Sequence, residues 1–244
     1  MTAQLQLLES KEATPHWTVR VSRRARRLSV RVYPGGRVEV VVPPGASASL
    51  VQRFVGTHRE WIEERVADLS AVAGVTVETQ PTRIELAALG RTYAVGYRPT
   101  ASRTARVNVA GEDYLMVTGN TQDARAIGAA LRSWLLDVAA TELDRELARM
   151  AQLGGFTYSR LQIRRQRTRW GSCSASGTIS LNACIMFQSL DVMRYLLIHE
   201  LSHTRHMNHS RRFWALVESL EPDYRRLDRE LLRGWQLVPG WMFN

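Results

Sequence analysis

Two histidines separated by three residues stand in the segment His199-Glu200-Leu201-Ser202-His203. On an α-helix, residues four apart lie on one face, so both imidazoles can offer a nitrogen to the same metal ion. Glu200 adjoins the first histidine and can take a proton from a water molecule at that ion without being a ligand. This H-E-x-x-H spacing is typical of zinc hydrolases. It predicts a zinc site with Glu200 as the catalytic acid/base.

A catalytic zinc site needs a third protein ligand and one open position. The candidates further along the chain are His206, His209, Glu218 and Glu221. In a continuous helix His206 would lie about 10 Å along the axis from His199, too far for one ion. If the helix ends near Asn208, which tolerates the left-handed conformation of a cap, the chain can turn back and bring His209 to the pair. We therefore predict His209 as the third ligand of one zinc ion per chain, with Glu218 as the alternative.

The elements next to the motif are predicted from apolar patterning and caps. The apolar run Tyr195–Ile198 is typical of a buried helix, and Ser189 is its expected N-cap. Upstream, the alternating pattern from Leu161 to Met186 predicts a β-hairpin that turns at residues 174–177. In this register Cys173 faces Thr178. An edge strand beside the motif helix would allow an extended peptide to add to the sheet.

Arginines alternate along the first strand of this predicted hairpin. Arg165, Arg167 and Arg169 would share one face. Arg169 is a candidate for stabilising an oxyanion or a substrate carboxylate, and Arg167 is a second candidate substrate-binding residue. A structural ion pair that holds the hairpin together is an equally good explanation of Arg169.

The rest of the chain predicts an α+β protein. Residues 17 to 42 alternate as an antiparallel meander, and Ser47 or Ser49 caps one helix that runs to about Leu69. Short strands are expected near residues 82–88, 91–97, 104–109 and 113–118. A long helix then runs from the cap at 121–123 to about Leu153, where two glycines stop it. The predicted division is a β-rich N-terminal region, residues 1–118, and a helical core, residues 119–244, which together could form one compact unit.

Composition limits the class of protein. The 244 residues are 45% hydrophobic and 23% charged, which is typical of a globular chain. No apolar run reaches the ~18 residues of a membrane helix, and the N-terminus lacks a signal-peptide pattern, so we expect a cytoplasmic protein without a membrane partner. Cys173 and Cys184 are too few for a disulfide scaffold, and free thiols are expected. The net charge of +10 suits a nucleic acid or nucleotide partner, although a general preference for arginine over lysine explains it as well.

The motifs resemble those of the YgjP-like metallopeptidases over about residues 20 to 233. The segments that carry the resemblance in the C-terminal half are Thr168–Cys173, Leu181-Asn182, His199–His203, Asn208–Ser210, Phe213-Trp214 and Pro222–Tyr224. Those in the N-terminal half are Ser22–Arg27, Val42–Pro44, Trp61-Ile62 and Leu89–Tyr93. The histidine spacing is also similar to that of WLM proteases, and SprT-like proteases share the motif helix. Both are linked to digestion of proteins cross-linked to DNA.

The resemblance implies a zincin-like core with an active-site helix. It implies His199, His203 and His209 as zinc ligands and Glu200 as the catalytic acid/base. The expected function is hydrolysis of peptide bonds in a peptide or protein substrate.

Two other functions compete with peptide hydrolysis. A zinc-dependent nucleotide phosphohydrolase would use the same metal, with the arginines on phosphates. A nucleic-acid-binding module with structural zinc would not require a base at Glu200. A protease that acts on DNA–protein cross-links is a narrower form of the first function.

Overall fold

The computed structural model describes residues 17–33, 36–70 and 78–243. The chain divides into two compact units, residues 1–70 and 71–244. The predicted boundary at residue 118 differs from this division, because the sheet that precedes residue 119 packs against the long helix that follows it. Among the described residues no helix is long and apolar enough to cross a membrane.

The described residues of the first unit form a three-stranded sheet and two helices. Its strands are β1 (Trp17–Val21), β2 (Ser29–Val32) and β3 (Val38–Val42), and its helices are α1 (Ala48–Thr57) and α2 (Arg59–Ser70). Ser47 caps α1 by accepting a hydrogen bond from the Leu50 amide at 3.3 Å. The single predicted helix is interrupted at His58, which is the C-cap of α1.

The predicted antiparallel meander is only partly correct. β2 and β3 form an antiparallel hairpin, but β1 pairs with β3 in parallel, so the sheet order is β1-β3-β2. β3 is the most apolar of the three strands, and four of its five residues are buried. A continuous apolar strand is most stable with a neighbour on both sides, which explains its central place.

The second unit begins with a four-stranded sheet and a 31-residue helix. The strands are β4 (Arg83–Leu86), β5 (Arg91–Pro99), β6 (Ala105–Val109) and β7 (Tyr114–Gly119), in the order β4-β5-β7-β6. The helix is α3 (Ala124–Gly154), which Asp123 caps and which ends at Gly155 with φ of 62°. All five elements lie where the sequence predicts them, because each has a clear apolar periodicity and is followed by residues that end it. The α3 stripe of Ile127, Leu131, Leu135, Leu143 and Leu147 is fully buried.

Among the described residues, a small mixed sheet and three further α-helices follow in the second unit. The strands are β8 (Arg160–Arg164), β9 (Gly171–Cys173) and β10 (Thr178–Asn182), and the helices are α4 (Leu190–Ser202), α5 (Arg211–Leu220) and α6 (Tyr224–Arg233). The sheet order is β8-β10-β9, with β8 parallel and β9 antiparallel to β10. The tryptophan-rich tail packs inside, where Trp235 and Trp241 are 1% and 3% exposed.

The predicted hairpin is therefore much shorter than expected. Only β9 pairs antiparallel with β10, and Cys173 faces Ile179, one residue from the predicted partner. The arginine-rich residues 165–170 are not a strand. Two of their carbonyl groups bind a side chain: the buried side-chain amide of Asn182 donates to the carbonyls of Gln166 and Arg169, at 2.7 and 2.8 Å. This contact is remote in sequence, so local alternation could not reveal it.

Candidate metal centre

Helix α4 positions the two histidines of the motif. Ser189 caps it by accepting a hydrogen bond from the Val192 amide, as predicted. The buried apolar residues of α4 hold the helix in the core of the unit. His199 lies in its last turn and His203 is its C-cap, still in helical conformation, so the two rings lie 5.0 Å apart. The structure thus brings the pair onto one face, as the spacing predicts.

The third histidine arrives from a turn after α4. The helix ends at Ser202, six residues before the break predicted at Asn208. The amides of Arg205 and His206 both donate to the Ser202 carbonyl, which closes a tight turn. The chain then reverses and brings His209 to the other two histidines, as predicted.

The three imidazoles form a compact group of candidate ligand atoms. One nitrogen from each of His199, His203 and His209 lies within 4.8 Å of the others, and the Nε2 atoms of His199 and His209 are 3.0 Å apart. Two nitrogens on one tetrahedral zinc ion, each ~2.0–2.1 Å from it, are roughly 3.3–3.4 Å apart. The donor set therefore fits a divalent metal that prefers imidazole.

Protonation also favours metal binding at this group. Burial, together with the neighbouring His203 and His209, lowers the pKa of His199 to about 3. Burial also lowers the pKa of His203. Both rings are then neutral at physiological pH, which is the form that binds metals. The Nδ1 atom of His203 lies 3.1 Å from the His206 carbonyl oxygen. That carbonyl can only accept, so Nδ1 carries the proton and Nε2 is left to bind the metal.

Aromatic side chains hold His209, which is exposed. Its ring stacks on Trp214 with centroids 5.5 Å apart and meets the edge of Phe213 at 4.8 Å. Phe213 is fully buried and also stacks on His203 at 4.5 Å. Ser210 caps α5 and starts the helix that carries both aromatic residues. The position of His209 therefore depends on the packing of α5.

Glu200 follows His199 on α4 and is buried. It is 4% exposed, and among the described residues no group forms a hydrogen bond to its Oε2 atom. Burial raises its pKa to about 8, against the opposing effect of the Arg169 charge. An orphaned buried carboxylate oxygen beside a metal-ligand group is what a base that holds a water molecule requires.

Gly171 contacts the Glu200 carboxylate from strand β9. A Cβ atom at this position would lie 2.5 Å from Glu200 Oε1 and 2.9 Å from its Cδ. The side chain of Glu200 therefore occupies the space that any larger residue at 171 would need. Sequence reasoning gave this glycine no role, since nothing local indicates which side chain lies above it.

The two candidate arginines lie in different surroundings. The Arg169 charge acts on Glu200, so it lies within electrostatic reach of the site. Arg167 donates instead to the Phe243 carbonyl at 2.7 Å, and Arg165 donates to the Met242 carbonyl at 3.4 Å. The three arginines do not form the single strand face that alternation predicted.

The remaining candidate ligands lie outside the histidine group. The Glu218 carboxylate is 53% exposed and lies 3.9 Å from Arg225. Glu221 accepts a hydrogen bond from the Asp223 amide at 3.3 Å. Cys173 and Cys184 are free thiols, and Cys184 is buried. The predicted thiols are thus confirmed.

A cleft of about 870 Å³ lies elsewhere in the second unit, between the four-stranded sheet and α3. Its walls include Arg91, Tyr93, Val107, Trp134 and Asp137, and none of the three histidines. The residues with the chemistry of a metal centre lie at the end of α4.

Comparisons with known proteins give the following matches. The family model described as "YgjP-like, metallopeptidase domain" matches residues 26–233, a range that contains the histidine group and Glu200. Among solved structures, the metallopeptidase zymogen of Pyrococcus abyssi abylysin is 28% identical to the chain. The match covers 35% of this chain and 89% of that one, with a TM-score of 0.33. No curated protein matches the chain.

Proposed function

Because the chain belongs to the YgjP-like metallopeptidase family, we propose that it is a zinc-dependent peptidase with His199, His203 and His209 as metal ligands and Glu200 as general base. Family membership makes the chain a metal-dependent hydrolase. The observation that carries the finer proposal is the group of imidazole nitrogens within 4.8 Å beside a buried carboxylate oxygen without a partner.

The bound metal and Glu200 would have separate roles in hydrolysis. When bound, zinc supplies Lewis-acid chemistry that acidifies a water molecule and polarises a carbonyl group. Glu200 takes the proton of the attacking water at its unpartnered Oε2 atom. It then returns this proton to the amine that leaves.

We propose that an extended substrate binds along strand β9. It is one of the two edge strands of the β8-β10-β9 sheet and packs against α4. An extended peptide that pairs with this edge would pass the carboxylate of Glu200, which contacts Gly171 on the same strand. Arg169 precedes this strand and provides a cation for the substrate carbonyl or a carboxylate.

The phosphohydrolase alternative has less support from the contacts. It needs several arginines free to hold phosphates, but Arg165 and Arg167 donate to backbone carbonyls of the C-terminal segment. The charge of +10 still leaves a nucleic acid as a proposed partner, for example in a protease that acts on DNA-bound proteins.

The test compares wild type with Glu200→Gln. Both proteins should bind equal amounts of zinc, because Glu200 is not a ligand. Only the wild type should cleave an unfolded protein, and the substitution should lower kcat by about 10²–10⁴-fold. Glu218→Gln, an exposed acid on α5, is the matched control and should keep full activity.

Parallel reactions with DNA and with nucleoside triphosphates separate the alternatives. Stimulation of protein cleavage by DNA would support the nucleic-acid partner. Cleavage of triphosphates alone, or zinc bound without any Glu200-dependent reaction, would contradict the proposed function.

A further inference from the structure

Tyr195 lies one helical turn before His199 and is completely buried. Its hydroxyl donates a hydrogen bond of 2.7 Å to Oδ1 of Asp228, which lies 33 residues later on α6. Asp228 forms no ion pair with any described arginine. The carboxylate is therefore directed at Tyr195 and not at a surface cation.

The same hydroxyl oxygen lies 3.4 Å from Nδ1 of His199, at the long end of the hydrogen-bond range. A phenol has one proton, and in Tyr195 that proton is given to Asp228. Towards His199 the oxygen can therefore only accept, which requires the proton of the neutral imidazole to be on Nδ1. The lone pair is then on Nε2, the atom that lies 3.0 Å from His209 Nε2.

We propose that Asp228 and Tyr195 are positioning residues for the metal centre, acting as a relay from α6 that sets the tautomer and ring orientation of His199. This inference rests on the proposed function of the histidine group as a metal site. The ring of His199 meets Tyr195 edge-on at 5.9 Å, so the contact restricts the ring as well as the proton.

The other two ligands are supported differently. His203 uses a backbone carbonyl, which substitution cannot remove. His209 uses ring stacking. Of the three, His199 alone has a side-chain relay among the described residues, so the relay can be tested by substitution without touching a ligand. It also makes α6, which supplies no ligand, part of the machinery that binds the metal.

The experiment measures zinc affinity of Tyr195→Phe, Asp228→Asn and the double variant, by competition with a chromogenic chelator. Each single substitution should weaken zinc binding about 10–100-fold, the usual effect of losing such an outer contact. The double variant should be no weaker than the weaker single variant, because the two residues act in series. Tyr93→Phe, a buried tyrosine of β5, and Asp223→Asn, an exposed acid before α6, are the matched controls and should bind zinc like wild type.

A second measurement uses metal-free protein and needs neither zinc nor substrate. Nitrogen-15 NMR of the His199 ring at pH 8 should give the Nδ1-protonated tautomer in wild type and a mixture of tautomers in Tyr195→Phe. A merely structural role would lower the melting temperature and leave the tautomer and the zinc affinity unchanged. That result would overturn the relay.

The outcomes also separate the relay from the proposed function. A protein that binds zinc tightly through the relay but cleaves no peptide would contradict the peptidase proposal and leave the relay intact. Peptide cleavage by wild type, together with unchanged zinc affinity and an unchanged tautomer in Tyr195→Phe and Asp228→Asn, would overturn the relay. It would leave the peptidase proposal intact.

Discussion

His203 and His209 are candidate ligands of the same ion, yet the chain supports them in opposite ways. His203 is buried at the end of α4, and its Nδ1 donates to a carbonyl of its own turn. His209 is exposed on the segment between two helices and is held by Trp214 and Phe213 of α5. The helical side of the centre, at His203, is thus positioned by local structure. The loop side, at His209, depends on tertiary packing. We therefore expect the position of His209 to change more readily than that of His203 when neighbouring side chains are substituted.

The largest expected effect is the loss of metal on removal of either histidine. His203→Ala and His209→Ala should each weaken zinc binding at least ~100-fold and abolish activity, because each removes one of three ligands. The two variants should differ in the stability of the metal-free protein. His203→Ala should lower the free energy of unfolding by about 1–3 kcal/mol, since it empties a buried position, whereas His209→Ala should change it by less than ~0.5 kcal/mol. Urea unfolding in the presence of a chelator measures both, and equal destabilisation would contradict the comparison.

The next effect concerns the base on the helical side. Gly171→Ala should lower kcat about 10–100-fold, because the added methyl group overlaps the Glu200 carboxylate and displaces it. Zinc affinity should stay close to that of wild type, since no ligand moves. Ser172→Ala, the next residue on β9, is the control for the strand itself. An unchanged kcat in Gly171→Ala would mean that Glu200 does not need its present position.

A smaller effect should follow from loosening the loop side. Trp214→Ala removes the ring that stacks on His209 and should weaken zinc binding about 2- to 10-fold, the range for loss of one aromatic pair. The exposed Trp61 of the first unit gives the control variant Trp61→Ala. Titration with zinc and a competing chelator measures the zinc affinity of both variants. If the affinity stays the same, His209 is held by the backbone of its turn and not by α5.

The smallest effect concerns the attachment of α4 to α3. Glu146 accepts hydrogen bonds from Arg149 at 2.6 and 3.0 Å and from Arg194 of α4 at 2.6 Å. The bond from Arg149, and then that from Arg194, hold the pKa of Glu146 at about 2 against the opposing effect of burial. A carboxyl group with a depressed pKa stabilises the fold above its ordinary pKa, near 4.5, and loses this contribution as the pH falls towards 2.

Glu146→Gln should therefore cost about 1 kcal/mol of stability at pH 7, since both arginines are partly exposed. The difference from wild type should shrink steadily below pH 4.5. Thermal unfolding between pH 3 and pH 7 measures it. A difference that does not depend on pH would show that the charge of Glu146 is not what joins the helices.

The sequence predicted those parts of the molecule that local rules determine. The cap residues Asp123 and Ser189 begin α3 and α4 as expected. The histidine spacing placed three imidazoles together, because a helix face and a short return of the chain were enough to do so.

The parts that sequence did not predict are set by remote partners. The parallel pairing of β1 with β3 and of β8 with β10 needs crossovers that have no local pattern. Residues 165–170 alternate like a strand, but the side-chain amide of Asn182 binds the carbonyls of Gln166 and Arg169. The contacts of Gly171 with Glu200 and of Asp228 with Tyr195 likewise join distant parts of the chain.

The most direct test of the central claim is anomalous diffraction at the zinc edge from crystals of Glu200→Gln grown with zinc. We expect one peak per chain, about 2.0–2.1 Å from a nitrogen of each of His199, His203 and His209. The substituted side chain at position 200 should not be a ligand. A peak that lacks any one of the three histidines, or that includes Glu218, would show that His199, His203 and His209 are not the three protein ligands of the metal.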